Sequence, residues 1–211
     1  MYENLLANVP TDLWIGGKWR KSSDNARFDV IDPATEKKVA SVASATPQDA
    51  IAALDAADAA FPAWASKKPR ERGEILRKAF ELIMRDAERL AKLITVENGK
   101  ALPDSRGEVA YAAEFFRWNA EEAVRNLGQM STAPSSGARI LVQHKPAGIA
   151  VLVTPWNFPA AMATRKIGPA PAAGKELGMS QTTQPNVTER EARRVAEASR
   201  ATEWRQPGFL R

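Results

Sequence analysis

The stretch VTPWNFPAAMATRKIGPAPAAG occupies residues 153–174 and closes an apolar run that begins at Ile149. The run IAVLV is apolar at consecutive positions, so a strand formed here would bury both faces, as strands of a parallel sheet do. Pro155-Trp156-Asn157-Phe158-Pro159 then ends the strand, and the residues after it have helical composition. A buried strand, a tight turn and a helix make the opening of a βα unit. In such a unit ligands bind off the C-terminal end of the strand, where Trp156 and Asn157 lie. The expected fold class is therefore α/β, with helices and short strands first and a βα unit opening near residue 150.

Upstream, LWIGGKWR (residues 13–20) reads as a hairpin around Gly16-Gly17, a pair that accepts positive φ. Phe28, Val30 and Val39 lie in short strand-like runs on either side of the turn at Asp32–Thr35. Thr46 is placed to cap a helix, with Pro47 at its first position and Asp49 near the positive end of its dipole. Ile51, Leu54, Ala57 and Phe61 share one face of that helix, and Pro62 ends the regular pattern. The spacing predicts a second helix from about Pro69 to Met84, and a third from about Asp86 to Asn98 that stops at Gly99. A fourth is predicted from about Pro103 to Leu127, with Val109, Ala113, Phe116, Ala120 and Leu127 on its apolar stripe. Ser131–Gly137 is a polar turn, and Ile140 and Val142 alternate along a half-exposed strand beyond it. Dispersed tryptophans are expected to fill the core, and Glu121-Glu122 to lie on a solvated helix face.

The 211 residues contain no cysteine, which excludes disulfides, cysteine zinc sites and thiol catalysis within this sequence. A single histidine, His144, leaves no room for a multi-histidine metal site, and it reads as a surface or interface residue. The formal charge of +5 is spread among acidic residues with no basic block, so a solvated surface is expected and no nucleic-acid partner. No run approaches the roughly 18 apolar residues of a membrane span. The N-terminal residues lack the basic start and apolar core of a secretory signal, so a cytoplasmic location is expected.

Asn157 carries two readings. Its amide at a strand end can donate to an oxygen gaining negative charge, held there by prolines on both sides and beside the flat wall of Trp156. Equally, Asn is a favoured helix cap and could serve only the helix that follows. Glu97, near a helix end, reads as structural.

The motif at 153–174, preceded by KPAGIAVLV, resembles the entry into the cofactor domain of NAD(P)-dependent aldehyde dehydrogenases, and within them is most similar to succinate-semialdehyde dehydrogenases. WIGGKW, DPATEKKVASV, FPAW, ERGEILRKAFELI, LAKLITVENGKAL and GEVAYAAEFFRWNAEEA follow the same order, so the resemblance covers about Leu13 to Gly174. It implies an incomplete aldehyde-dehydrogenase-like fold, with N-terminal helices and short strands plus the first βα unit of a Rossmann-type cofactor domain, and a family chemistry. A cysteine thiolate attacks the aldehyde, hydride passes to NAD or NADP, and a glutamate activates water to release the acid. By the same resemblance Asn157 stabilises the oxyanion, and Thr154, Pro155, Trp156 and Asn157 line the cofactor site. Arg165 holds the distal carboxylate of a semialdehyde through a guanidinium fork, its alternative being a helix-surface charge.

The family's continuation departs after Gly174. Its second strand, Lys-Pro pair, Gly-rich loop, catalytic Glu and catalytic Cys are not recognised in KELGMSQTTQPNVTEREARRVAEASRATEWRQPGFLR. This segment offers no apolar strand run and at most a helix near Thr188–Glu203. A shifted reading frame after Gly174 would produce such a change. The expected organisation is 1–128 as the N-terminal part of the cofactor-binding domain, 129–146 as an oligomerisation arm, 147–174 as the first βα unit and 175–211 as a divergent, disordered tail. The expected function is aldehyde oxidation by ancestry, with the chain inactive alone for want of the Cys and Glu. The alternatives are a fragment that associates with a full-length dehydrogenase through its arm, or a chain that does not fold stably.

Overall fold

A computed structural model describes residues 3–7 and 9–179. After a short helix α1 (Glu3–Leu6), two antiparallel hairpins follow, β1 (Leu13–Ile15) with β2 (Lys18–Arg20) and β3 (Arg27–Ile31) with β4 (Lys38–Ala43). Four long helices come next: α2 (Pro47–Ser66), α3 (Pro69–Arg85), α4 (Ala87–Asn98) and α5 (Leu102–Glu122). A third hairpin pairs β5 (Gln129–Thr132) with β6 (Arg139–Val142). The described residues close with β7 (Ile149–Leu152), α6 (Ala161–Ile167), α7 (Pro169–Ala172) and β8 (Glu176–Met179). None of the described helices is long and apolar enough to cross a membrane.

The hairpins form where the turn glycines and the Asp32–Thr35 turn place them. Trp14 and Trp19 face each other across β1 and β2 with ring centroids 4.9 Å apart. Helix α2 starts as its sequence dictates. The Thr46 hydroxyl accepts from the Asp49 amide, and the Asp49 carboxylate accepts in return from the Thr46 amide, at 3.2 and 3.0 Å. Pro62 lies inside α2 and does not end it, a correction to the sequence reading. The apolar face expected on this helix is also only partly covered, since Ala57 is buried while Ile51 and Leu54 are exposed.

Helices α3 and α4 fall within a residue of their expected bounds, and Gly99 ends α4 with φ at +72°, a conformation that favours glycine. Helix α5 ends at Glu122 rather than Leu127, and Leu127 is exposed rather than part of the apolar stripe. Gly128 explains the early stop: its Cα lies so near the Val142 carbonyl that a side chain would clash, so the chain there belongs to the third hairpin.

The core is a layer of α3, α4 and α5 with α6 and the end of β7 laid against it. Phe116, Ile83, Leu90 and Ile94 are its large members. The α5–α6 contact is made of small residues, Ala112, Ala113 and Ala120 with Ala160, Ala161 and Ala163. A methyl group on Gly168 would sit 2.8 Å from the Phe115 carbonyl, so this contact tolerates no larger residue there. Pro169 starts a new helix, which is why the run after Trp156-Asn157 divides into α6 and α7. Tryptophan is less internal than its composition suggested. Trp64 is buried, with its indole N–H donating to the Pro171 carbonyl at 3.3 Å, whereas Trp118 and Trp156 are exposed.

Two corrections concern the βα unit. First, β8 pairs in parallel with β7, from Ile149 opposite Glu176 to Leu152 opposite Met179, so a second parallel strand is present where a disordered tail was expected. Parallel pairing needs a crossover of a dozen residues or more and uses backbone groups alone, and the segment through α6 and α7 supplies that crossover. Its end is fixed from afar. Arg72 of α3 donates from Nε to the Ala172 carbonyl at 3.3 Å and from Nη1 to the Lys67 carbonyl at 2.5 Å, and burial pushes its guanidinium pKa down. The rest of the expected tail, including the helix near 188–203, lies outside the described residues. Second, β7 is covered on one face only. Leu152 and Thr154 are buried, while Val151 and Val153 are exposed, because no described element packs on their side.

The start of α2 yields a pH prediction. Burial raises the Asp49 pKa, but the amides of Thr46 and Ser23, the Arg20 guanidinium and the Thr46 hydroxyl outweigh it and hold the carboxyl well below the usual range. A depressed folded-state value means that Asp49 adds stability above its unfolded pKa, about 4, and that this is lost as pH falls further. Denaturant midpoints of the parent and Asp49→Asn should differ most at neutral pH and converge in acid. A gap that does not change with pH would refute this account.

Candidate functional site

The loop between β7 and α6 carries the residues singled out by the sequence. Thr154 is buried at 2% exposure, Pro155, Trp156, Asn157 and Phe158 are exposed, and Pro159 and Ala160 are buried again. The loop therefore rises from the core and returns to it, with Trp156 and Asn157 at its crest beyond the C-terminal end of a parallel strand.

Three contacts hold this crest from α4, α5 and the turn between them. The Asn98 side-chain amide donates to the Trp156 carbonyl at 3.4 Å. The Lys100 ammonium sits 3.9 Å from the centroid of the Phe158 ring, a cation–π contact, and pairs with Glu108. Glu108 is buried, and its Oε1 accepts from the amides of Ala160 and Ala161 at 2.9 and 3.3 Å. A carboxylate against these first amides of α6 also meets the positive end of the helix dipole. On the far side, the Lys166 ammonium donates to the Val153 carbonyl.

This arrangement bears on the cap reading of Asn157. The residue before α6 is Ala160, with no side-chain cap, and the amides there are taken by Glu108. Asn157 is not the cap. Its side chain makes no hydrogen bond to any described residue and stands exposed, with two N–H donors available to a ligand. Arg165 lies in the last turn of α6. Its guanidinium is 5.9 Å from the Phe115 ring centroid and its Nη1 is 3.8 Å from the Met162 sulfur. No carboxylate among the described residues pairs with it, so its fork of donors is open to an anion.

The structure thus puts Thr154, Pro155, Trp156 and Asn157 in one loop and Arg165 on the helix that the loop enters. His144 is exposed in the segment after β6, in keeping with a surface position. Every residue of β5 and β6 is exposed, including the apolar Met130, Ile140, Leu141 and Val142. Sequence reasoning missed Asn98, Lys100 and Glu108. Their signal was faint: a polar residue on each side of a helix-ending glycine, and an acidic residue at a position of α5 that helical spacing turns inward.

Comparison with known proteins gives this site a setting. Residues 19–197 match the family model described as aldehyde dehydrogenase family. The match runs past Gly174, where the motif-by-motif resemblance ends. The chain is similar to a succinate-semialdehyde dehydrogenase of Paenarthrobacter nicotinovorans, 57% identical over 136 residues, covering 64% of this chain and 30% of that one. It is also similar to an NADP-dependent succinate-semialdehyde dehydrogenase of Escherichia coli, 41% identical over 170 residues, covering 81% of this chain and 35% of that one. Among solved structures, an E. coli enzyme described as NADP dependent superposes with a TM-score of 0.87 at 37% identity, covering 93% of this chain and 40% of that one. The chain therefore spans about a third of the length of the curated relatives it matches.

The buried charges make the loop sensitive to truncation. Glu108→Ala leaves the Lys100 ammonium and two buried amides without their acceptor and should cost about 3–5 kcal/mol, read as a fall in the denaturant midpoint. Glu108→Gln, which keeps an acceptor for the amides, should cost less. Equal losses for the two would show that the amide contacts contribute nothing.

Proposed function

This chain belongs to the aldehyde dehydrogenase family, and from that premise we propose that it carries the oxyanion-stabilising and substrate-anchoring part of an NAD(P)-dependent oxidation of a semialdehyde, succinate semialdehyde first, to its carboxylic acid. The observation that carries this reading is the free side-chain amide of Asn157 at the mouth of a parallel strand, with the exposed guanidinium of Arg165, paired with no described carboxylate, on the helix that follows. The names of the relatives support the choice of substrate.

The residues present fit a nicotinamide cofactor. Thr154, Pro155, Trp156 and Asn157 form an open rim at the end of β7, and the half-exposed Trp156 indole offers a flat face of the kind a planar ring system stacks on. When bound, the cofactor supplies the hydride acceptor. Asn157 donates an N–H to the aldehyde oxygen as that atom takes on negative charge. A donor fixed in place before the reaction is worth about 2.7–4 kcal/mol at such a position. Arg165 grips the carboxylate at the other end of the substrate and sets how far the aldehyde reaches towards Asn157. The prolines at 155 and 159 and the contacts from α4 and α5 keep the loop from relaxing as charge develops.

Nucleophile and base lie outside these residues. No cysteine occurs among the 211, so no thiolate attacks within this stretch. Glu108 is committed to Lys100 and two amides and is not placed to activate water. The 211 residues alone are expected to give no aldehyde-dependent reduction of cofactor.

The exposed hairpin favours a second reading, association with another member of the family through residues 129–146. Its outward Met130, Leu141 and Val142 would be covered in such an assembly. Co-purification with a full-length relative would support it, and a solely monomeric product mixed with that relative would sink it.

A hybrid enzyme tests the first reading: residues 13–174 replace the matching segment of the E. coli relative. The hybrid should oxidise succinate semialdehyde. Within it, Asn157→Ala should lower kcat by about 10²–10³-fold. Arg165→Ala should raise KM for succinate semialdehyde by about 10- to 100-fold while leaving an aldehyde without the distal carboxylate little changed. An active hybrid indifferent to Asn157→Ala would remove the oxyanion role.

A further inference from the structure

We propose that Lys100 and Glu108 are a positioning couple that fixes the orientation of Asn157 by clamping the loop immediately after it, and that this, rather than stability of the helical layer, is what their charges accomplish. The proposal rests on the oxyanion reading of Asn157 for its purpose, though not for its geometry.

The Asn157 side chain is held by none of the described residues, so its direction is inherited from the backbone on either side. That backbone is gripped at three points. Asn98 fixes the carbonyl of Trp156, one residue before. Lys100 caps the ring of Phe158, one residue after. Glu108 takes the amides of Ala160 and Ala161, where the loop becomes helix. Lys100 and Glu108 are joined to each other, with side-chain exposures of 15% and 0%, so the second and third grips act as one unit. Both residues come from outside the loop, on either side of the first turn of α5, and this end of α5 is built on the core through Leu102 and Val109.

The chemistry of the couple favours orientation over cohesion. Well-packed apolar residues replace buried ion pairs without loss of stability in many folds, so a buried pair is a weak device for holding helices together. It does supply direction. One carboxylate oxygen faces the ammonium and the other faces two amides, which fixes the carboxylate plane. The ammonium is confined between that carboxylate and an aromatic face. An oxyanion donor must lie within 2.7–3.1 Å of an atom that carries charge only briefly, and a loop free to drift by an ångström would lose that contact.

The full 211-residue chain, labelled with fluorotryptophan and followed by fluorine NMR, tests the couple without substrate. Trp156→Phe and Trp64→Phe identify the two resonances that matter. Trp156 reports the loop, and the buried Trp64, bonded to the Pro171 carbonyl, reports the fold. The variant Lys100→Met/Glu108→Gln removes both charges yet keeps an acceptor for the amides and a stem over Phe158. The Trp156 resonance should move by more than its own linewidth or broaden, with Trp64 unmoved, and Lys100→Arg should return it towards the parent position. Trp156 and Trp64 both unmoved in the double variant would overturn the proposal. So would loss of the folded Trp64 resonance there, which would make the couple a support for the whole layer, or a parent chain whose Trp64 already resonates at its denatured position. The readout contains no catalytic step. A mobile loop in an active hybrid would reject the couple and spare the oxyanion reading, and an ordered loop in a hybrid indifferent to Asn157→Ala would do the reverse.

Discussion

The buried carboxylate of Glu108 is the constraint on which the site depends. It meets the first amides of α6 and the ammonium of Lys100 at once, and so ties together the turn after α4, the start of α5 and the loop that follows β7. An α-helix beginning inside a protein must satisfy its leading N–H groups or lose stability. Here the Phe158 carbonyl accepts from the Met162 amide, but no side chain of the preceding loop caps the amides of Ala160 and Ala161. The partner is supplied from a neighbouring helix, and the exposed loop is freed from a structural duty that its own asparagine could otherwise have taken.

Small residues make that supply possible. Glu108 reaches the Ala160 and Ala161 amides because α5 and α6 approach through alanines and through Gly168. Larger side chains at that seam would separate the helices, and a carboxylate has only a short reach. The alanine-rich composition of both segments, which contributes little apolar area per residue, has its use in distance.

Much of the fold was legible in the sequence because it is local. The capping box at Thr46 and Asp49, the glycine ending α4 and the inward spacing of Ile75, Leu76, Ala79, Leu82 and Ile83 along α3 each act over a few residues, and the structure follows them, with Leu82 only partly buried. The strand and turn leading to Asn157 were legible for the same reason. What could not be read was set from a distance. Strand β8 has no apolar run, and its place beside β7 depends on a crossover tied down by Arg72 and Trp64, from helices far earlier in the chain. The one-sided exposure of β7 depends on which elements pack there, which a run of Val and Ile does not record. Lys100 and Glu108 escaped notice because a charged pair in a helix-rich sequence looks the same whether it is solvated or buried.

The order of elements also bears on how the chain acquires its shape on the ribosome. The large side chains of the core come mainly from α3, α4 and α5, which follow one another directly. A nascent chain emerging N-terminus first can assemble that helical layer from near neighbours before the strands of the parallel pair have been synthesised. Strand β7 and its crest loop then arrive at a surface already formed, with Glu108 and Lys100 waiting in it. The crest loop is thus moulded onto a finished template, and changes confined to it should leave the yield of folded helices intact.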